Sequence, residues 1–327
     1  MRGWLKALTN LHIASSEGDI FIFAAARSGS TLLHDLILTQ PGFKPCTSPF
    51  DLRNEAIARH LARFGITSWA DLYSDQATEA IAAYIHGISK GHIRISEPIF
   101  FRNHFRFVTR RIAFKILDGC EDLIPSFSEM FGGRIVYLLR HPIPVALSRR
   151  QTPRLEVFVT SNFNRHFTQP QLEFARRIIV SGTMMERAVL DWCLQSVVPL
   201  RQLSKDWAVV SYEQLVLDPG PVVDALSARL SLPRPDRMLK LRNRPSYSTV
   251  SSDDKTKEML KRREQETDAG KTRSLDTWLV EKWRERIDEE EERRLMEILD
   301  VFEIEAYRRG STLPADQFWI RSREATG

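Results

Sequence analysis

The chain has 327 residues, of which 43% are hydrophobic and 27% are charged, as in ordinary globular proteins. The 47 basic and 42 acidic residues leave a formal net charge of +5, which suits an anionic ligand but does not indicate nucleic-acid binding. The three widely separated cysteines fit neither a disulfide framework nor a zinc site, and they favour a reducing, cytoplasmic compartment.

The N-terminal residues 1–19 contain no long apolar core, so no secretory signal is expected. No run approaches the ~18 apolar residues of a membrane span. The first clear element is an apolar strand at 20–25, which runs into small and polar residues (FIFAAARSGSTLL, 21–33) and then a helix. A strand that opens a helix in this way leaves backbone N–H groups for an anion. The side chains that add donors are Arg27, Ser28, Ser30 and Thr31.

This turn departs from the Walker loop, in which a Gly stands five residues before Gly-Lys-Ser/Thr. Here the cation comes first and no Lys follows Gly29. A later Gly-Lys-Thr at 270–272 follows a charged run rather than a buried strand, and we interpret it as a chance match.

Further apolar, β-favouring segments at 112–117, 135–139 and 207–210 alternate with helical patterns, including those at 52–90 and after Pro219. The alternation predicts an α/β fold with a doubly wound, mostly parallel sheet. We expect one domain over 1–327, with a nucleotide-binding core at 18–240 and a C-terminal helical segment at 276–310. The polar stretches at 151–171 and 242–272 are expected to be binding loops, lids or ordinary surface loops.

A second candidate anion site follows the strand at 135–139. Arg140 comes directly after it, and Ser148 lies eight residues further on, beyond a turn that two prolines make rigid. Because ligands of open α/β sheets bind beyond the carboxyl ends of the strands, Arg27 and Arg140 should lie on the same edge. A ligand with two separated anionic groups would span them.

Three segments together resemble motifs of the sulfotransferases that use PAPS (3′-phosphoadenosine 5′-phosphosulfate). RSGSTLL (27–33) is similar to the family's 5′-phosphosulfate loop, LLRHPIPVALS (138–148) to its 3′-phosphate motif, and YEQLVLDP (212–219) to its YED-L-x-x-D-P segment after a later strand. They occur in the family's order over about 200 residues. The resemblance is closer to the bacterial and carbohydrate-acting branches than to the cytosolic steroid and phenol enzymes, which usually have Lys in place of Arg27.

The resemblance implies a cofactor, PAPS, whose product is PAP, and a scheme that requires no metal. The residues that would hold the 5′ end of PAPS are Arg27, Ser28, Gly29, Ser30 and Thr31. The 3′-phosphate would be bound by Arg140 and Ser148, and the adenine would lie near Tyr212. The segment 242–275 would close over the nucleotide, with Arg262, Arg263 and Arg273 as candidate contacts.

The resemblance also implies sulfuryl transfer to a hydroxyl or amine, with Arg27 and Lys115 near the transferred group. A base must accept the proton of the acceptor. Steroid-type relatives place a His where this chain has Leu117, so the candidates here are carboxylates and another His. Asp51 is favoured by its position, and the others are Glu55, Glu97 and His104.

Two other functions stay open at this stage. A nucleotide kinase with a P-loop would need the Walker Lys and a Mg²⁺ ligand, and a non-catalytic nucleotide-binding module would need neither the base nor the transfer. The acceptor is expected to be a small molecule, a carbohydrate or a lipid, and no nucleic-acid partner or membrane span is expected. The oligomeric state is not predicted.

Overall fold

The computed structural model describes residues 11–95, 106–149, 151–242 and 269–320, together with 258, 261 and 262. The strands in this part of the chain are β1 Leu11–His12, β2 Ile20–Ala24, β3 Phe43–Thr47, β4 Val108–Thr109, β5 Arg111–Ile116, β6 Arg134–Leu139 and β7 Ala208–Ser211. Five of these described strands form one parallel sheet in the order β3-β5-β2-β6-β7, and β1 pairs with β4 separately. The predicted parallel α/β architecture is therefore confirmed.

Helices lie between the strands and cover both faces of the sheet. The helices of the first half are α1 Ser30–Leu38, α2 Glu55–Ala62, α3 Ala77–Ser89, α4 Ile124–Phe131 and α5 Pro142–Ser148. Those of the second half, within the described ranges, are α6 Leu155–Thr160, α7 Gln169–Ser181, α8 Met184–Arg201, α9 Tyr212–Leu217, α10 Pro219–Leu230, α11 Pro235–Arg242, α12 Ala269–Glu281 and α13 Glu289–Val301. None of them combines the length and the apolar content that a bilayer-crossing helix needs.

The central strand β2 is buried on both faces, and its alternate side chains belong to different cores. Ile20 and Ile22 pack in one core with Leu33 of α1. Phe23 faces the other core, where its ring meets Phe127 of α4 edge-on, with the ring centres 5.0 Å apart. This two-sided burial accounts for the unbroken apolar run in the sequence.

The sequence analysis does not predict β3. Its sequence FKPCT contains Pro45, which cannot donate a hydrogen bond to a neighbouring strand. Because β3 is at the edge of the sheet and pairs only with β5 among the described strands, the missing donor can face away from the ladder.

Two predicted segments need correction. Residues 151–171 are not an irregular loop, because they contain α6, a 3₁₀ helix at Asn162–His166 and the start of α7. Thr168 and Gln171 form a capping box there, so their polar side chains serve a helix end. The segment 276–310 is not helical throughout, because α12 ends at Glu281 and α13 spans Glu289–Val301.

The covering loop predicted over 242–275 lies mostly outside the described residues. Where its end is described, residues 269–275 belong to α12 and are helical. Arg263 also lies outside the described part, whereas Arg262 and Arg273 are exposed. The role of this segment over a nucleotide stays a prediction.

Candidate functional site

The turn between β2 and α1, residues 25–31, is here called the anion loop. Gly29 precedes the first residue of α1 and has a φ of 87°, in the left-handed region that glycine tolerates. Ser28 and Ser30 are buried, and Arg27 is exposed. Because the first-turn N–H groups of a helix lack acceptors within the helix, the loop presents donors and a partial positive charge.

Three residues other than glycine also adopt a positive φ along the carboxyl edge of the sheet. Arg27 (φ 74°), Ser48 (φ 48°) and Cys120 (φ 66°) follow β2, β3 and β5, which are neighbouring strands. Each such conformation costs roughly 1–2 kcal/mol. Strain of this kind concentrates at functional sites, and it marks the carboxyl edge of the sheet as the candidate site.

Tyr212 connects the anion loop to the second predicted anion site. A methyl group added at Gly29 would lie 2.3 Å from Cδ2 of Tyr212, so the ring rests directly on the glycine. The guanidinium carbon of Arg140 lies 4.1 Å from the centre of the same ring. Nη1 of Arg140 donates a hydrogen bond to the carbonyl oxygen of Arg27 at 3.1 Å. The structure thus brings together four of the predicted binding residues.

Lys115 reaches the anion loop from the neighbouring strand β5. Its Nζ donates to Thr31 Oγ1 at 3.2 Å. The side chain is largely buried, and this burial lowers the pKa of Lys115 below its ordinary value, while the charges of Asp35 and Asp118 oppose the shift. A cation is therefore held at the start of α1 although the loop has no Walker lysine.

Arg140 lies two residues before α5, and Ser148 is the last residue of that helix. Oγ of Ser148 donates to the carbonyl of Val145 at 2.9 Å. The next residue, Arg149, pairs with the buried Asp191 and donates through Nε to the carbonyl of Ala26 at 3.3 Å. The end of α5 is thus tied to the anion loop, and joint binding of one phosphate by Arg140 and Ser148 stays a prediction.

Buried polar groups support the turn that holds Arg140. The backbone N–H of His141 donates to Oε1 of Glu213 at 2.9 Å, and the Tyr307 hydroxyl donates to Oε2 at 2.8 Å. Burial raises the pKa of Glu213, although both hydrogen bonds favour its charged form. The ring of His141 stacks on Trp283 with centres 4.7 Å apart. Glu213 follows Tyr212 directly and thus links the Arg140–His141 turn to the start of α9.

A second group of charged residues lies beyond the ends of β3 and β5, and we call Asp51, Arg53, Asp118, Glu121 and Arg154 the rim cluster. Arg53 contacts Asp51 at 2.6 Å and Asp118 at 3.6 Å. Arg154 approaches Asp118 at 4.0 Å and donates to Glu121 at 2.7 Å. The cluster adjoins Lys115, whose backbone carbonyl accepts from Ser48 N–H at 2.8 Å.

Sequence reasoning placed only Asp51 in this cluster. Asp118 and Glu121 follow a predicted strand at its carboxyl end, which is the same signal that singled out Arg27 and Arg140. Arg154 gave no signal, because its segment was expected to be a loop.

The candidate bases have different surroundings. Asp51 is partly buried and accepts hydrogen bonds from the backbone and the side chain of Arg53. Glu55 is the exposed first residue of α2. Glu97 and His104 lie outside the described residues.

Two buried polar atoms fit an anionic ligand. Within the part of the chain that the structure describes, Ser28 Oγ and Arg140 Nε are buried without a hydrogen-bond partner. A buried donor without a partner costs about 1–3 kcal/mol, which a ligand oxygen could offset. In the same described ranges, no three His, Cys, Asp or Glu side chains are grouped as metal ligands would be.

Comparison with solved structures finds similarity to sulfotransferase domains. The domain from the Synechococcus PCC 7002 olefin synthase is 18% identical with a TM-score of 0.41, over 89% of this chain and 94% of that one. The domain from the curacin biosynthetic pathway is 18% identical with a TM-score of 0.37, over 68% and 77%. No family model and no curated protein matches the chain.

Proposed function

We propose that the protein transfers a sulfuryl group from PAPS to a hydroxyl or amine of a small-molecule, carbohydrate or lipid acceptor. One observation carries the proposal: the contacts that run from Lys115 and Thr31 through the anion loop to Tyr212 and Arg140. They arrange cations at two places on one sheet edge, with an aromatic ring between them.

This arrangement suits a nucleotide with anionic groups at both its 5′ and 3′ ends. The loop N–H groups, Ser28 and Arg27 would bind the 5′ end. Arg140 and Ser148 would bind the 3′-phosphate, and Tyr212 would lie beside the base. The unpartnered Nε of Arg140 supports an anion at the second position. A nucleoside triphosphate has no 3′-phosphate and therefore does not require an anion site at Arg140.

PAPS supplies the sulfuryl group, and the residues position it and stabilise charge on the departing phosphate, as in phosphoryl transfer. Arg27 adds a permanent positive charge at the exposed mouth of the loop. Lys115 adds a second positive charge next to Thr31. Because Lys115 is largely buried, its charge acts through a medium that screens it less than water does.

The test is transfer of radiolabel from PAPS to a panel of hydroxyl and amine acceptors in the presence of EDTA. We expect labelled product with PAPS and none with labelled ATP and Mg²⁺. Transfer from ATP that EDTA abolishes would support the kinase alternative instead. Binding of PAP without transfer to any acceptor, water included, would support a non-catalytic nucleotide-binding module.

A further inference from the structure

Asp118 lies two residues beyond the end of β5 and three residues after Lys115. Its side chain is only 6% exposed. The charge of Asp118 acts on Lys115 and raises its pKa, against the larger effect of burial. Because Nζ of Lys115 donates to Thr31 Oγ1 at 3.2 Å, Asp118 lies on the side of Lys115 that serves the anion loop.

The three carboxylates of the rim cluster differ in what already occupies their oxygens. Asp51 accepts two hydrogen bonds from Arg53, at 3.1 Å and 2.6 Å. Glu121 accepts from the Tyr73 hydroxyl at 2.5 Å and from Arg154 at 2.7 Å. Among the described residues, no hydrogen bond is made to the Asp118 carboxylate, since Arg53 and Arg154 stay at 3.6 Å and 4.0 Å. Asp118 thus keeps the capacity to accept one.

The surroundings favour a proton on Asp118. Burial is the largest cause that raises the pKa of Asp118, and the like charges of Asp51 and Glu121 add to it. Arg154, from the N-terminal end of α6, and Arg53 oppose the shift, and Lys115 faces the group from β5. A carboxylate whose pKa lies closer to the working pH is a better base.

We propose that Asp118 is the general base of the reaction, an inference that rests on the proposed sulfotransferase function. The acceptor O–H or N–H gives its proton to the Asp118 carboxylate as the acceptor atom bonds to sulfur. The bond from sulfur to the bridging oxygen breaks, and PAP leaves with that electron pair. The protonated Asp118 then returns its proton to solvent.

The experiment compares the pH dependence of kcat for wild type, Asp118→Asn, Asp51→Asn and Asp122→Asn, with radiolabelled PAPS and water or a panel hydroxyl as acceptor. A base acts when deprotonated, so the rate falls as the pH drops through its pKa. We call this fall of kcat at low pH the acid limb. We expect Asp118→Asn to lower kcat by about 10²- to 10⁴-fold and to remove the acid limb. Its affinity for PAP should stay within about threefold of wild type, because the residue contacts the acceptor rather than the nucleotide.

Asp122 is the matched control, because it is in the same turn and its buried carboxylate pairs with Arg165 and His166 rather than with Arg53 or Arg154. Asp122→Asn should keep the wild-type kcat and the acid limb. An Asp118→Asn variant that keeps both, or that loses PAP binding along with activity, would overturn the inference. Loss of the limb in Asp51→Asn instead would make Asp51 the base.

A second measurement does not depend on folding of the variants. Carboxyl-carbon NMR of the wild-type protein should show Asp118 titrating above its ordinary pKa of 3.8. Titration at or below that value would contradict the inference. If the wild-type protein neither binds PAP nor releases sulfate from PAPS, the proposed function itself is wrong. This result is distinct from those that would contradict only the role of Asp118.

Discussion

The guanidinium of Arg140 is stacked on the ring of Tyr212 at 4.1 Å while it donates to the backbone of Arg27 at 3.1 Å. One side chain therefore connects the two predicted anion sites on the carboxyl edge of the sheet. A planar guanidinium can stack and donate at once, which an ammonium cannot do. The position of Arg140 is thereby set before any ligand arrives.

Arg140→Ala should weaken binding of PAP and leave binding of adenosine 5′-monophosphate nearly unchanged. Charge-assisted hydrogen bonds are worth about 1.5–3 kcal/mol, which corresponds to a loss of roughly 10- to 150-fold in affinity for PAP. Isothermal titration with both nucleotides measures the difference. Equal losses for the two nucleotides would show that Arg140 does not bind the 3′-phosphate.

Arg27→Ala should abolish most of the turnover while the fold survives, because the side chain is exposed. Removal of one donor to the developing charge costs about 3 kcal/mol of barrier, or roughly 10²- to 10³-fold in kcat. Arg27→Gly should lose as much activity as Arg27→Ala. It should be at least as stable as Arg27→Ala, since φ is 74° at this position and glycine tolerates that value. Arg59→Ala removes an exposed arginine from α2 and should change neither quantity. A wild-type rate in Arg27→Ala would remove Arg27 from the site.

Gly29→Ala should disrupt nucleotide binding through two effects. The new methyl group meets the Tyr212 ring at 2.3 Å, and the residue keeps a φ of 87° that alanine disfavours. Displacement of Tyr212 also removes the surface on which Arg140 stacks. We expect affinity for PAP to fall by at least about tenfold, measured by titration calorimetry.

Gly132→Ala is the control for this variant. Gly132 ends α4 with a φ of 60°, and a methyl group there meets nothing within 4 Å. It should cost about 1–2 kcal/mol of unfolding free energy from the backbone alone and leave PAP affinity unchanged. If Gly29→Ala binds PAP as well as this control does, the contact between Gly29 and Tyr212 has no role in binding.

His141 should make stability depend on pH. Its Nδ1 accepts the Ile143 N–H, and burial lowers the pKa of His141 to about 3. The unfolded chain binds this proton near pH 6.5 and the folded chain does not, so the stabilisation is complete above pH 6.5 and is lost as the pH falls. The unfolding free energy of wild type should drop about 2 kcal/mol more than that of His141→Asn between pH 7 and pH 5.

Urea unfolding at the two pH values measures this difference, and asparagine keeps an acceptor for the Ile143 N–H. His86→Asn, on the exposed side of α3, should keep the full wild-type loss. A pH effect of the same size in wild type and His141→Asn would mean that His141 charges without cost in the folded protein.

The strands and helices around the candidate site that were predicted correctly come from local patterns. The strand β2 and the start of α1 follow from a continuous apolar run that ends in small residues. The strand before Arg140 follows from the same kind of pattern. These predictions needed only neighbouring residues and the rule that ligands bind at the carboxyl edge of a parallel sheet.

The rim cluster could not be assembled in this way, because Arg53, Asp118 and Arg154 come from three separate segments. Arg154 is polar, yet it is almost fully buried, since its charge is compensated by Glu121 and Asp118. Sequence polarity alone assigned its segment to an irregular loop. Tertiary pairing of charges is the information that single-segment reasoning lacks.

The most direct test of the account is a crystal structure of the protein with PAP. We expect the 5′-phosphate within hydrogen-bonding distance of the amides and hydroxyls at 28–31, and the 3′-phosphate beside Arg140 and Ser148. The nucleotide bound elsewhere, or with its 3′-phosphate turned away from Arg140, would contradict the central claim that one doubly anionic nucleotide spans both sites.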